Sequence, residues 1–209
     1  IDRIFTFGEQ NIRYFQELYP DIETKWEIAG NPRLEMAKFN PDLMALRSQS
    51  KSIGMPTRFS NINQCEGYPA FRTMDHPESV WEIVHQAKSY ATMVRVVEHI
   101  LEKTDLSISI RPHPTENPHS YRFLRERAPE RIEVDVTYDF SAWAARQKAI
   151  VGPSTTSILE AYVLRVPTVN IETMAGVGNS FEEQGSAFDN LTKVQTSAYT
   201  PEALDDLID

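Results

Sequence analysis

Cysteine is almost absent from this sequence: Cys65 stands alone. One thiol cannot close an intramolecular disulfide or build a cysteine-rich zinc or iron–sulfur site. That usage fits a reducing compartment, so a cytoplasmic location is expected. No apolar run reaches the ~18 residues of a membrane-spanning helix. Lysine and arginine form no long cluster, which argues against broad nucleic-acid binding. No Gly-Lys-Ser/Thr phosphate loop, Gly-x-Ser-x-Gly elbow or Asp-x-Asp metal pattern occurs. The five histidines show no metal spacing, so no metal and no cofactor is expected. The chain opens on Ile1, already inside a strand-like run and with no leader before it. It therefore reads as a piece cut from a longer protein.

What is present is an ordinary globular composition, 41% apolar and 24% charged over 209 residues, enough for one or two domains. The net charge of −9 is unevenly placed. Residues 172–209 hold eight acids and one base, a net −7, which leaves −2 for the rest. This acidic tail reads as a solvated face.

Apolar periodicity sets the order of elements. Residues 3–7 read as a strand, 11–19 as a helix and 26–29 as a second strand, closed by Gly30-Asn31-Pro32. Residues 41–51 are polar and serine-rich and read as a hinge or crossover. A strand at 52–59 is weakened by Gly54 and Pro56. Asp75, Pro77 and Glu78 look like the capped start of a long helix that runs to Leu101. Strands follow at 106–110, 132–136, 149–151 and 168–171, with helices at 118–127, 140–146 and 154–164. Alternating helices and short buried strands imply a parallel α/β sheet covered on both faces. Ligands of such sheets bind beyond the carboxyl ends of the strands.

Three strand-to-helix loops there are chemically unusual. Arg111-Pro112-His113-Pro114 ends a strand, and its two prolines fix the backbone around the histidine. Arg111 offers a fork for phosphate and His113 a hydrogen bond or a proton. The plainer reading is a proline-rich turn. In the second loop, Ser154, Thr155 and Thr156 crowd an expected first helical turn, where backbone N–H groups favour an anion. A simple N-cap needs one hydroxyl, not three. Thr156 and Glu160 are four apart and share a face of the expected helix, so Glu160 is a candidate for ribose hydroxyls or simply a surface acid. The third loop carries Arg58, Asn61, Asn63, Gln64, Glu66 and Arg72, either a donor and acceptor contact or a solvated loop. Cys65 reads as structural, and His85 and His99 as packing or surface residues of the long helix. Gly176-Val177-Gly178-Asn179 lacks the third glycine of a dinucleotide fingerprint.

Taken together these residues resemble a known group. A strand ending in Arg111-Pro112-His113-Pro114, Ser154 and Thr155 ahead of Glu160-Ala161, and a strand after Arg165-Val166-Pro167 are similar to the C-terminal half of GT-B glycosyltransferases. Within these the chain most resembles bacterial surface-polysaccharide enzymes of the capsule and O-antigen group, which includes lipopolysaccharide Kdo transferases using CMP-Kdo. Gly30-Asn31-Pro32-Arg33 and Arg58-Phe59-Ser60-Asn61-Ile62-Asn63 add to the likeness, which spans residues 5–171. Histidine–proline loops also occur in CDP-glycerol phosphotransferases and nucleotide-sugar epimerases. The resemblance implies a Rossmann-like donor-binding domain over residues 48–209, preceded over 1–47 by the last strand–helix–strand of an N-terminal half. It implies a nucleotide-sugar donor, with His113, Ser154 and Thr155 on its phosphate and Glu160 on its ribose. It also implies a polysaccharide or lipid-linked acceptor, and peripheral membrane association through regions outside the chain. The catalytic residue stays unassigned. A UDP-sugar epimerase or CDP-glycerol-type phosphotransferase, and a non-catalytic nucleotide- or anion-binding module, are the rival expectations.

Overall fold

The computed structural model describes residues 2–46, 52–66, 79–177, 196–198 and 200–205. The chain begins with strand β1 (Arg3–Thr6), helix α1 (Glu9–Leu18) and strand β2 (Lys25–Ile28). The strands pair in parallel as a two-stranded sheet. On α1, Phe15 stacks on Trp26 with ring centroids 6.2 Å apart. Gly30 takes φ 71°, a left-handed turn that suits glycine and ends the unit. Helices α2 (Pro32–Lys38) and α3 (Pro41–Leu46) follow, each with proline in its first position, where a missing N–H costs nothing. Helix α3 corrects the expected hinge: Leu43 of this polar stretch is buried in a core shared with Phe140, Trp143 and Leu164. Residues 47–51 of that hinge lie outside the described residues.

The second sheet has six strands: β3 (Ser52–Pro56), β4 (Ser107–Arg111), β5 (Ile132–Val134), β6 (Ala149–Gly152), β7 (Thr168–Asn170) and β8 (Thr196–Ser197). Their order is β5-β4-β3-β6-β7-β8, with every pairing parallel. The chain winds outward from β3 to β5, returns to place β6 beside β3, then winds the other way. The β3–β6 boundary is thus the topological switch point of a doubly wound sheet. Strand β8 was not expected, because its two residues sit in the acidic tail.

Both faces of the sheet are covered, as the alternation implies. Ile53, Met55, Ile108, Ile110, Ala149 and Val151 point to one side and pack on Met93, Val96, Val97 and Ile100 of α4 (Ser79–Lys103). The expected cap of that helix at Asp75, Pro77 and Glu78 lies outside the described residues. A short 3-10 turn (Pro118–Tyr121) runs into α5 (Arg122–Arg127), and Tyr121 and Leu124 join the same core. The opposite side is lined by smaller residues. There α6 (Phe140–Ala145) and α7 (Ile158–Val163) pack around Ile150. Gly54 makes room for them: a Cβ would lie 2.7 Å from the Gln147 side chain and 2.9 Å from the Trp143 ring. The glycine that weakened the strand reading is where the indole docks, with Trp143 Nε1 donating to Ser109 Oγ at 2.8 Å.

Candidate functional site

The loops beyond β3 and β4 are tied together by a buried carboxylate. Glu116 is 2% exposed and accepts from Thr57 Oγ1 at 2.7 Å, from the Phe59 N–H at 2.6 Å and from the Tyr121 hydroxyl. Burial pushes the Tyr121 phenol well above its ordinary range, and the charge of Glu116 and its hydrogen bond push the same way. Burial, then Glu116, raises Tyr90 as well. Around this centre Ser60 Oγ meets Thr115 Oγ1 at 2.7 Å, the Cys65 N–H donates to Thr115 O, and Asn63 and Asn117 exchange hydrogen bonds. An ionised acceptor satisfied by several donors locks both loops.

Above this knot lies a cleft of ≈600 Å³. Its walls are the β4 loop (Arg111 to Glu116), the β5 loop (Asp135 to Tyr138) with Phe140, and Thr156 and Ser157 of the β6 loop. His113 is exposed on its rim. The Thr115 N–H reaches His113 Nδ1 at 3.3 Å, and Thr115 Oγ1 lies 2.8 Å from the same atom. A backbone N–H can only donate, so Nδ1 accepts in this geometry and Nε2 is the ring nitrogen left to meet a ligand.

Arg111 forms the floor rather than a free fork. Its guanidinium donates to Asp135 Oδ1 at 2.7 Å, to Thr137 Oγ1 at 3.1 Å and to the Thr137 carbonyl. It also lies over the rings of Phe140 and Trp143 at 5.7 and 5.4 Å.

Ser154 is likewise committed inward. It is fully buried, donates to Glu172 Oε2 at 2.8 Å and accepts from Asn170 Nδ2 at 2.7 Å. The other oxygen of Glu172 is 3.3 Å from His85 Nε2, and Arg58 Nη1 donates to the Ser154 carbonyl at 3.3 Å. These contacts close the switch point between the β3 and β6 loops. They correct two expectations. His85 is a polar partner of the site, and Glu172 is 3% exposed rather than part of a solvated tail. His99 is also paired, 2.7 Å from Asp205 of that tail.

Helix α7 starts at Ile158, four residues later than expected. Residues 154 and 155 are irregular and 156 and 157 form a turn instead, and the Ser157 N–H donates to Thr155 Oγ1 at 3.4 Å. Consequently Thr156 and Glu160 do not share a helical face. Thr156 lines the cleft, whereas Glu160 is buried and accepts from Ser141 Oγ at 2.8 Å. The structure thus brings Arg111, His113 and Thr156 into one cleft, with Ser154, Thr155 and Glu160 behind its wall. Of the third loop, Asn61 donates its N–H to Gln86 and Glu66 is exposed, as is Cys65, which is not a packed structural residue. Arg72 lies outside the described residues. The residues missed from sequence are Glu116, Ser157 and Glu172. Glu172 had a signal, since it follows a strand end; Glu116 had none beyond its place in the His113 loop.

No family model and no curated protein matches the chain. Solved structures do. The UDP-GlcNAc 2-epimerase from Methanocaldococcus jannaschii is similar over 99% of this chain and 54% of its own length, with TM-score 0.53 and 14% identity. The same enzyme in complex with UDP-GlcNAc and UDP gives 98%, 53%, 0.50 and 15%. The wall teichoic acid polymerase TagF, in a variant soaked with CDPG, covers 100% of this chain and 48% of its own, with TM-score 0.54 and 13% identity. The fold is Rossmann-like and GT-B-type. At these identities the likeness is one of fold, and the chain spans about half the length of the proteins it matches. None of these structures is a Kdo transferase, so that part of the resemblance rests on sequence motifs alone.

Proposed function

We propose that this chain is the donor-binding part of a nucleotide-sugar glycosyltransferase acting in surface-polysaccharide synthesis. The observation that carries the reading is the cleft at the carboxyl edge of the parallel sheet, which His113, Thr156 and Ser157 line together. Leaving-group phosphate needs fixed donors of this kind, and they act without a metal. In this reading His113, Thr156 and the Ser154–Thr155 backbone hold donor phosphate. Arg111 holds the β5 loop in place for the nucleoside. Glu160 reaches ribose hydroxyls by exchanging its bond to Ser141. Arg58, Asn61, Asn63 and Glu66 contact the donor or the acceptor from the β3 loop. Residues 48–209 form the donor domain and 1–47 belong to the end of a preceding half. The catalytic group is not among the residues assigned here. A nucleotide-sugar donor fits work in the cytoplasm.

CMP-Kdo is the donor that the Arg111–Pro114 and Ser154–Ala161 motifs favour. The likeness to a UDP-GlcNAc 2-epimerase and to TagF supports a second reading, a UDP-sugar epimerase or CDP-glycerol-type transferase. Thermal melting with CMP, CDP, UDP and ATP separates them. A shift with CMP alone supports Kdo transfer, UDP alone the epimerase, and CDP alone the CDP-glycerol reaction. No shift with any of the four contradicts the donor-site reading and favours a partner-binding module. In the responsive nucleotide, His113→Ala is expected to weaken binding by about tenfold or more, the worth of one hydrogen bond to a charged group.

A further inference from the structure

The cleft does not stop at the β5 loop. Pro118 and Val136 line its outer rim and also line a second concavity of ≈790 Å³ on the β5 edge of the sheet. His119, Arg122 and Arg125 face this groove from the 3-10 turn and α5. Arg122 is held by Glu126 at 2.7 Å, whereas Arg125 makes no ion pair among the described residues. The groove therefore keeps a positive excess in a chain of net charge −9. Glu126, the partner of Arg122, also lines it, and the remaining walls are valine and proline, which suit the C–H faces of a sugar ring.

We infer that this groove binds the acidic saccharide chain of the acceptor, with Arg122 and Arg125 on its carboxylates or phosphates and the chain entering the cleft over the Pro118–Val136 rim. A planar guanidinium matches both anions with paired hydrogen bonds. A neutral chain needs neither arginine, and a nucleic acid needs a longer basic track. The word acceptor rests on the donor reading of the cleft; the anion site itself does not.

Calorimetric titration with two acidic probes, an oligogalacturonate and an oligo(glycerol phosphate), tests this against a neutral dextran oligomer. Wild type is expected to bind at least one acidic probe, less tightly as salt rises, and not the dextran. Binding of the first alone identifies carboxylates, and of the second alone phosphates. Arg125→Ala is expected to weaken binding about tenfold and Arg122→Ala/Arg125→Ala further, with nucleotide affinity unchanged. Both side chains are exposed, so folding is not at stake. Failure of wild type to bind either acidic probe, or equal affinity in the double variant, overturns the inference. Loss of nucleotide binding in the double variant also overturns it, by assigning the groove to the donor. His113→Ala keeps the two readings apart. It is expected to weaken nucleotide and spare the acidic probe, and if nucleotide binding is untouched the donor reading fails while the groove stands.

Discussion

The two sheets of this chain follow the same parallel strand rules and reach opposite states of burial. In β6 every residue is buried, whereas in β1 Thr6 alone is, and α1 buries none of its residues. Phe5 is 63% exposed and Phe7 65%, while Ile53 and Met55 of β3 are at 0%. The difference is one of layers. Two strands and one helix have too few neighbours to enclose an apolar face, while six strands between two helical layers enclose two. Apolar alternation makes a strand; a second layer makes it part of a core. The site follows the same division, because rigid loops that present donors need a sheet that does not move.

Six substitutions, in three pairs, set the sheets against each other. Trp143→Ala is expected to cost about 3–5 kcal/mol in urea unfolding through the cavity left on the buried face. Trp26→Ala on the small sheet is expected to cost less than about 1 kcal/mol. Equal losses would erase the contrast. Arg111→Ala breaks an ion pair whose two side chains are each 10% exposed, and is expected to cost about 3 kcal/mol, the low end for a buried pair, because Asp135 keeps Thr137 and, at 3.7 Å, Arg146. Arg3→Ala removes a pair whose arginine is 57% exposed, and is expected to cost at most about 1 kcal/mol. Gly54→Ala is expected to cost about 1–3 kcal/mol by overpacking against Trp143 and Gln147. Gly8→Ala, with open space around its Cβ and an extended backbone, is expected to be near neutral.

The smallest effect concerns pH. The Tyr121 phenol is raised in the folded state above its ordinary 10.0, so the native protein holds that proton more tightly than the unfolded chain. Its contribution to stability is complete below pH 10.0 and is lost as pH rises above it. Tyr121→Phe is expected to cost about 1 kcal/mol at neutral pH and to show a shallower alkaline loss than wild type. Urea midpoints on either side of the phenol's ordinary range check this, and parallel slopes for the two proteins would contradict it.

Much of the large sheet was legible because its signals are local. Ile108 and Ile110 alternate with serines, and Val94, Val97 and Leu101 hold a helical period, so β4 and α4 appear from sequence within a residue or two where they are described. Local signals also mislead. Ser154, Thr155 and Thr156 look like a crowded first turn, yet Ser154 is drawn inward to Glu172 and Asn170 and Thr155 accepts from the Ser157 N–H, so α7 starts late. Glu172 was counted by charge into a tail, though its place after β7 puts it in the core. Glu116 was illegible because its partners Thr57 and Phe59 lie more than fifty residues away, brought to it by the pairing of β3 with β4. For Arg111 the sequence displays the fork and hides Asp135, one strand over.

Under the proposed function, ligands meet the carboxyl edge of the large sheet and not the small one. Titration of the protein with CMP, CDP and UDP, followed by amide chemical shifts, tests it most directly. The account predicts saturable shifts centred on His113, Thr115, Thr156 and Ser157, with none at Ile4, Thr6 or Trp26. Largest shifts on the β1–β2 unit, or no saturable shift at His113 with any of the three nucleotides, would contradict it.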